Sequence, residues 1–97
     1  MNAFRTQPVR EKYNTPWQSE YIIGMVQNLG NMSTTRVLDM CESQSIMSRA
    51  TAHKYLMLSV DLKLLQQNRG SVDKRETKLG LTAKGEKFLE ELKHAHR

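Results

Sequence analysis

Within the stretch Ser48-Arg49-Ala50-Thr51-Ala52-His53-Lys54-Tyr55-Leu56, hydroxyl, guanidinium, imidazole and ammonium groups alternate with small or apolar residues. Such a set suits a polyanion whose grooves carry hydrogen-bonding edges. The major groove of duplex DNA admits one helix between rows of phosphates, so a reading helix needs short polar side chains near its N-terminus and cations beside them. Ser48 can cap the helix and touch a phosphate, because the open amides of a first turn favour an anion. Arg49 is the best candidate for a two-pronged contact with guanine. Thr51, His53 and Lys54 can supply base or phosphate contacts, with the helical phase deciding which of them faces the groove, while Ala52 and Leu56 point inward. A second basic set follows in Asn68-Arg69-Gly70-Ser71-Val72-Asp73-Lys74-Arg75, with Lys78 just beyond it. On a hairpin tip, Arg69, Lys74 and Arg75 would reach an adjacent minor groove or the sugar-phosphate backbone. Asp73 does not fit a purely electrostatic tip. It makes sense as an organiser that pairs with Arg75 or accepts turn amides.

Elements to position these groups can be read on either side of them. Thr15-Pro16-Trp17-Gln18 has the form of a helix start, with Thr15 as cap, Pro16 at the first helical position and Gln18 closing a capping box. Trp17, Tyr21, Ile22, Met25, Val26 and Leu29 follow at helical spacing as one apolar face, and Gly30-Asn31 ends the helix. Ser33 or Thr34 can cap a short second helix with Val37, Leu38 and Cys41 inward, stopping near Glu42-Ser43-Gln44. A third helix is expected from Ser45 or Ser48 to about Val60. Ile46, Met47, Ala52, Leu56, Leu62, Leu64 and Leu65 are the core candidates around it. Leu64–Asn68 and Thr77–Leu81 read as two strands joined by the polar segment from Arg69 to Glu76. Thr82 then caps a last helix carrying Phe88, Leu89, Leu92 and Ala95. Residues 1–14 show no apolar periodicity and are expected to form a flexible arm. The whole predicts an α+β, mostly helical chain, a winged helix-turn-helix over residues 15–97 with a two-stranded hairpin as its wing.

Composition agrees with a single small basic domain. The 97 residues carry a net charge of +5, and all of the excess lies after Glu42: residues 43–97 hold eleven basic against six acidic side chains, while residues 1–42 balance. Nucleic-acid binders concentrate charge on one face in this way. No apolar run approaches the roughly 20 residues that span a bilayer, and the N-terminus lacks a signal-peptide apolar region, so a soluble, cytoplasmic protein is expected with no membrane partner. One cysteine and three histidines at scattered positions make neither a disulfide nor a structural zinc site, and no metal or other cofactor is expected.

Asp73-Lys74-Arg75 followed by Leu81-Thr82-Ala83-Lys84-Gly85 resembles the wing and following helix start of MarR-type transcriptional regulators, whose sequences show D-x-R and then L-T-x-x-G at this spacing. Ser48 to Leu56 is similar to the recognition helix of the same family. The resemblance covers about Ser33 to Leu92 and implies a regulator, by expectation a repressor, that binds double-stranded DNA with Arg75 approaching the duplex and Asp73 organising it. Three departures stand out. The chain is a shortened form that lacks most of the terminal helices of MarR-type proteins, which puts their pocket for a small aromatic effector in doubt. Lys63 stands before the first wing strand, where relatives often have Gly, and Ser59 where Leu is more usual. A homodimer through the first and last helices, both with apolar stripes, is still expected.

The competing reading is a winged helix used as a protein-interaction adaptor that binds polymerase or another protein partner, since fold does not fix function. An enzyme is not expected: no nucleophile-base set, phosphate loop or acidic cluster stands at recognisable spacing. Cys41, on the apolar side of a short helix, reads as a buried, inert thiol.

Overall fold

Two serines and a threonine punctuate the computed structural model of this chain, which describes residues 3–30, 32–69 and 77–95. Ser33 Oγ accepts the Arg36 amide at 3.1 Å and opens a helix at Thr34, Ser48 Oγ accepts the Thr51 amide at 3.2 Å and opens one at Arg49, and Thr82 Oγ1 accepts the Gly85 amide at 2.9 Å. Each side-chain oxygen satisfies a first-turn donor that the helix itself leaves unpaired. The order of elements is α1 (Ala3–Tyr13), α2 (Trp17–Leu29), α3 (Thr34–Ser43), α4 (Arg49–Asp61), β1 (Leu65–Arg69), β2 (Thr77–Leu81) and α5 (Ala83–Ala95). The strands pair antiparallel with Leu65 opposite Leu81 and Arg69 opposite Thr77, as a wing requires. This is the winged helix-turn-helix expected from the sequence.

One core binds the elements. Ile22, Ile23 and Val26 from α2, Val37 and Cys41 from α3, Ala52 and Leu56 from α4, Leu64, Leu65 and Leu79 from the hairpin, and Phe88 and Leu92 from α5 are all buried. Ser19 and Ser59 lie buried among them, and both donate to the Tyr55 carbonyl, at 3.1 and 2.8 Å. A hydroxyl thus replaces the expected leucine at Ser59 without leaving an unpaired polar group. The apolar face of α2 is narrower than its spacing predicts. Trp17, Tyr21 and Leu29 are 53%, 38% and 55% exposed, because α5 stands apart from this side of α2. At the start of α2 the expected capping box is not formed: Pro16 occupies the cap position without a side-chain bond, and Thr15 turns back to donate to the Tyr13 carbonyl at 2.9 Å.

The N-terminal segment departs from expectation more strongly. In place of a flexible arm, residues 3–13 form α1, even though Pro8 lies inside it and the helix is barely amphipathic. Docking at its C-terminal end supplies what periodicity does not. Tyr13 is 7% exposed with its ring 5.1 Å from that of Phe88, its hydroxyl bonds Glu91 of α5, Lys12 reaches the same carboxylate at 2.8 Å, and Arg10 pairs with Glu20 at 2.7 Å. Two aromatic rings and two ion pairs anchor a segment whose own helix propensity is weak.

Candidate nucleic-acid interface

Capping by Ser48 decides which side chains of α4 meet solvent. With the helix beginning at Arg49, Ala52 and Leu56 fall on the buried side at 0% exposure, and His53 and Lys54 on the exposed side. The Lys54 ammonium lies 5.6 Å from the centre of the Tyr55 ring, which keeps it near the helix. Ser48 and Thr51 are drawn together. Besides accepting the Thr51 amide, Ser48 donates to Thr51 Oγ1 at 2.9 Å, so the two hydroxyls spend part of their capacity on one another at the helix entrance.

Arg49 is held from outside its own helix. Its Nη1 donates to Oδ1 of Asp39 on α3, and this bond, reinforced by the charges of Asp39 and Glu42, raises the guanidinium pKa above its already high ordinary value. Asp39, Glu42 and Arg36, the three exposed charges of α3, were not singled out from the sequence; ten residues separate Asp39 from Arg49, and only the helix-turn-helix bend brings them together. The signal available was the capping of both helices by serine, which fixes the phase of each.

The hairpin is tied to the same neighbourhood. The Leu79 amide donates to the Met32 carbonyl at 2.7 Å, and Ser33 forms a bridge with Lys78, so β2 abuts the residue that caps α3. Lys78 is half-buried opposite Asn68, and Arg69 ends β1. Asp73, Lys74 and Arg75 lie outside the described residues.

The L-T-x-x-G piece has a structural explanation. Thr82 caps α5 while donating to the Lys63 carbonyl, and a Cβ at Gly85 would lie 2.1 Å from the Leu64 carbonyl oxygen. The helix therefore rests directly on the backbone at the base of the wing. Lys63 itself adopts φ +64, the left-handed conformation that a glycine takes without strain. Among the described residues no group of histidine, cysteine and carboxylate side chains could hold a metal ion, and no helix is long and apolar enough to cross a membrane.

No model of a known protein family matches the sequence, and no curated protein does. Solved structures match the fold. The chain superposes with TM-score 0.77 at 15% identity on a mutant of S. aureus MepR bound to an oligodeoxyribonucleotide, covering 96% of this chain and 66% of that one. It superposes with TM-score 0.79 at 14% identity on the transcriptional regulator Tm0710 from Thermotoga maritima, covering 99% and 65%. With a MarR transcriptional regulator from Methanosarcina mazei the values are 0.72 and 15%, covering 95% and 63%. The chain thus spans just under two thirds of the length of these proteins, and at such identity the likeness is one of fold.

Proposed function

We propose that this chain, which has the fold of MarR-type regulators, is a sequence-specific DNA-binding transcriptional regulator, with α4 in the major groove and the basic hairpin against the neighbouring minor groove or backbone. The observation that carries the reading is the entrance of α4. A capped helix start presents His53 and Lys54 to solvent, with Arg49 beside it and a hairpin anchored next to α3. Six of the eleven basic residues in the second half of the sequence, Arg49, Lys54, Arg69, Lys74, Arg75 and Lys78, belong to α4 or to the segment from Leu65 to Leu81. Ser48, Thr51 and His53 are assigned to base edges or phosphate, Arg49 to a guanine edge, and Lys54, Arg69, Lys74, Arg75 and Lys78 to phosphate or the minor groove, with Asp73 shaping the tip.

The reading includes a homodimer on a two-fold site. Between α2 and α5, the helices expected to carry the interface, runs a groove of about 1180 Å³ lined by Trp17, Tyr21, Leu29, Met40 and Leu89. Exposed aromatic and aliphatic side chains gathered in this way favour a protein partner. A Leu89→Glu variant is expected to run as a monomer in light scattering if a second copy covers the groove.

Fluorescence anisotropy with a random-sequence duplex, titrated with salt, tests the assignment. Binding should weaken steeply with salt, and Lys54→Ala and Arg75→Ala should each flatten the log-log slope by about 0.9 if each loses one phosphate contact. Wild-type protein that binds no duplex at low salt would refute the reading.

A further inference from the structure

An acidic residue within the proposed reading surface requires an explanation, because a carboxylate beside a phosphate row opposes binding. Asp39 is such a residue. It is exposed on α3, its Oδ1 accepts from Nη1 of Arg49 at the first position of α4, and Glu42 adds a second negative charge one turn further along. Neither carboxylate is buried, so the pair is not there to satisfy the core.

We propose that Asp39 is a specificity-determining positioning residue that restricts Arg49 to base edges and keeps it off phosphate. The inference rests on the DNA-binding reading above. Its physical basis is the asymmetry between the two targets. Guanine O6 and N7 are neutral acceptors, and the contact with Asp39 engages Nη1, which leaves the donors of Nε and Nη2 to meet a base edge while the carboxylate stays in place. A phosphate demands the positive charge itself. To give it, Arg49 must leave Asp39, and Asp39 then stands unpaired near an anion. Specificity is a difference between two affinities, and a group that penalises the wrong contact raises it as surely as one that improves the right contact. The Asp39 hold also removes rotamer freedom from a long side chain before the duplex arrives, which lessens what ordering costs on binding.

Selection from a random pool of duplexes supplies a preferred sequence, and affinities for that duplex and for a random-sequence duplex are then measured across salt. Asp39→Asn is expected to raise affinity for the random duplex about three- to tenfold and to steepen its salt slope by about 0.9, one new phosphate contact, while affinity for the selected duplex changes less. The ratio between the two duplexes falls accordingly. Glu42→Gln removes an equal charge that makes no hydrogen bond to Arg49 and is expected to leave that ratio within about twofold. Arg49→Lys, which keeps the charge and loses the fork, is expected to keep random-duplex affinity and lose the preference. An unchanged ratio in Asp39→Asn, or an equal fall in Glu42→Gln, would overturn the role of Asp39 while leaving DNA binding intact. No wild-type binding to either duplex at low salt would overturn both. Unchanged melting temperatures separate these effects from unfolding, as expected for an exposed pair.

Discussion

Substitution of Gly85 by alanine is expected to destabilise this protein although it adds a single methyl and improves helix propensity. An ideal Cβ at this position meets the Leu64 carbonyl oxygen at 2.1 Å, its carbon at 3.1 Å and Leu81 Cδ2 at 3.1 Å. Carbon and oxygen normally approach no nearer than about 3.3 Å, so helix and hairpin base must separate by roughly 1 Å. The obstacle is main chain, which cannot rotate aside as a side chain can. Forcing extra volume into a packed interior costs about 1–3 kcal/mol, and the clash here puts Gly85→Ala at the upper end, against at most about 1 kcal/mol gained in helix propensity. The net loss of about 2 kcal/mol corresponds to a fall of about 8–16 °C in melting temperature for a domain of this size. Gly24 is the control: it also lies in a helix, yet nothing stands within 4 Å of its Cβ position. Gly24→Ala should raise stability by about 0.5–1 kcal/mol. Urea unfolding followed by circular dichroism measures both. A Gly85→Ala protein as stable as the wild type would refute the reasoning, because the close approach of α5 to Leu64 would then not be fixed by the missing Cβ.

Lys63→Gly should stabilise the fold by about 1 kcal/mol, because the left-handed backbone at φ +64 costs lysine more than glycine, and a lower urea midpoint would contradict this. The Tyr13–Glu91 contact makes stability depend on pH at both extremes. The bond to Glu91 and burial push the Tyr13 pKa up to about 12, so its contribution is present below pH 10 and is lost as pH rises towards that value; Lys12 and Tyr13 hold Glu91 below the usual carboxylate range, so its contribution is present above pH 4.5 and fades as pH falls further. Tyr13→Phe should flatten the alkaline arm in thermal melts from pH 3 to 11. Burial raises the Cys41 thiol above its ordinary pKa and hides it, so iodoacetamide should label it at the rate of opening, and fast labelling of the folded protein at pH 7 would disprove its burial.

The hairpin and the caps were legible because their signals are local. Serine or threonine before each of α3, α4 and α5 accepts an amide three residues on, and the polar, glycine-containing segment between Leu64–Asn68 and Thr77–Leu81 marked the two strands to within a residue. What could not be read depended on partners distant in sequence. The docking of α1 rests on Glu91, seventy-eight residues from Tyr13, and no local pattern in residues 1–14 carries that information. The same holds for Trp17, Tyr21 and Leu29: their spacing states that they share a face, whereas burial depends on whether α5 comes to meet them. At the proposed interface the residue types were readable and the restraint on Arg49 was not, since Asp39 belongs to a different helix. The L-T-x-x-G motif was legible in part. Its cap at Thr82 was read correctly, whereas the role of Gly85, a close backbone contact with Leu64, was not.

The bond from the Leu79 amide to the Met32 carbonyl, with the bridge from Ser33 to Lys78, has a consequence for the spacing of a target site. It fastens β2 to the residue that starts α3, and α3 packs on α4, so Lys78 and α4, both proposed to touch DNA, are set at a distance that the chain cannot readily adjust. Such a protein measures its target like a caliper. Moving the minor-groove contact by one base pair relative to the major-groove contact should abolish one of them outright, where a wing on a slack tether would follow the displacement.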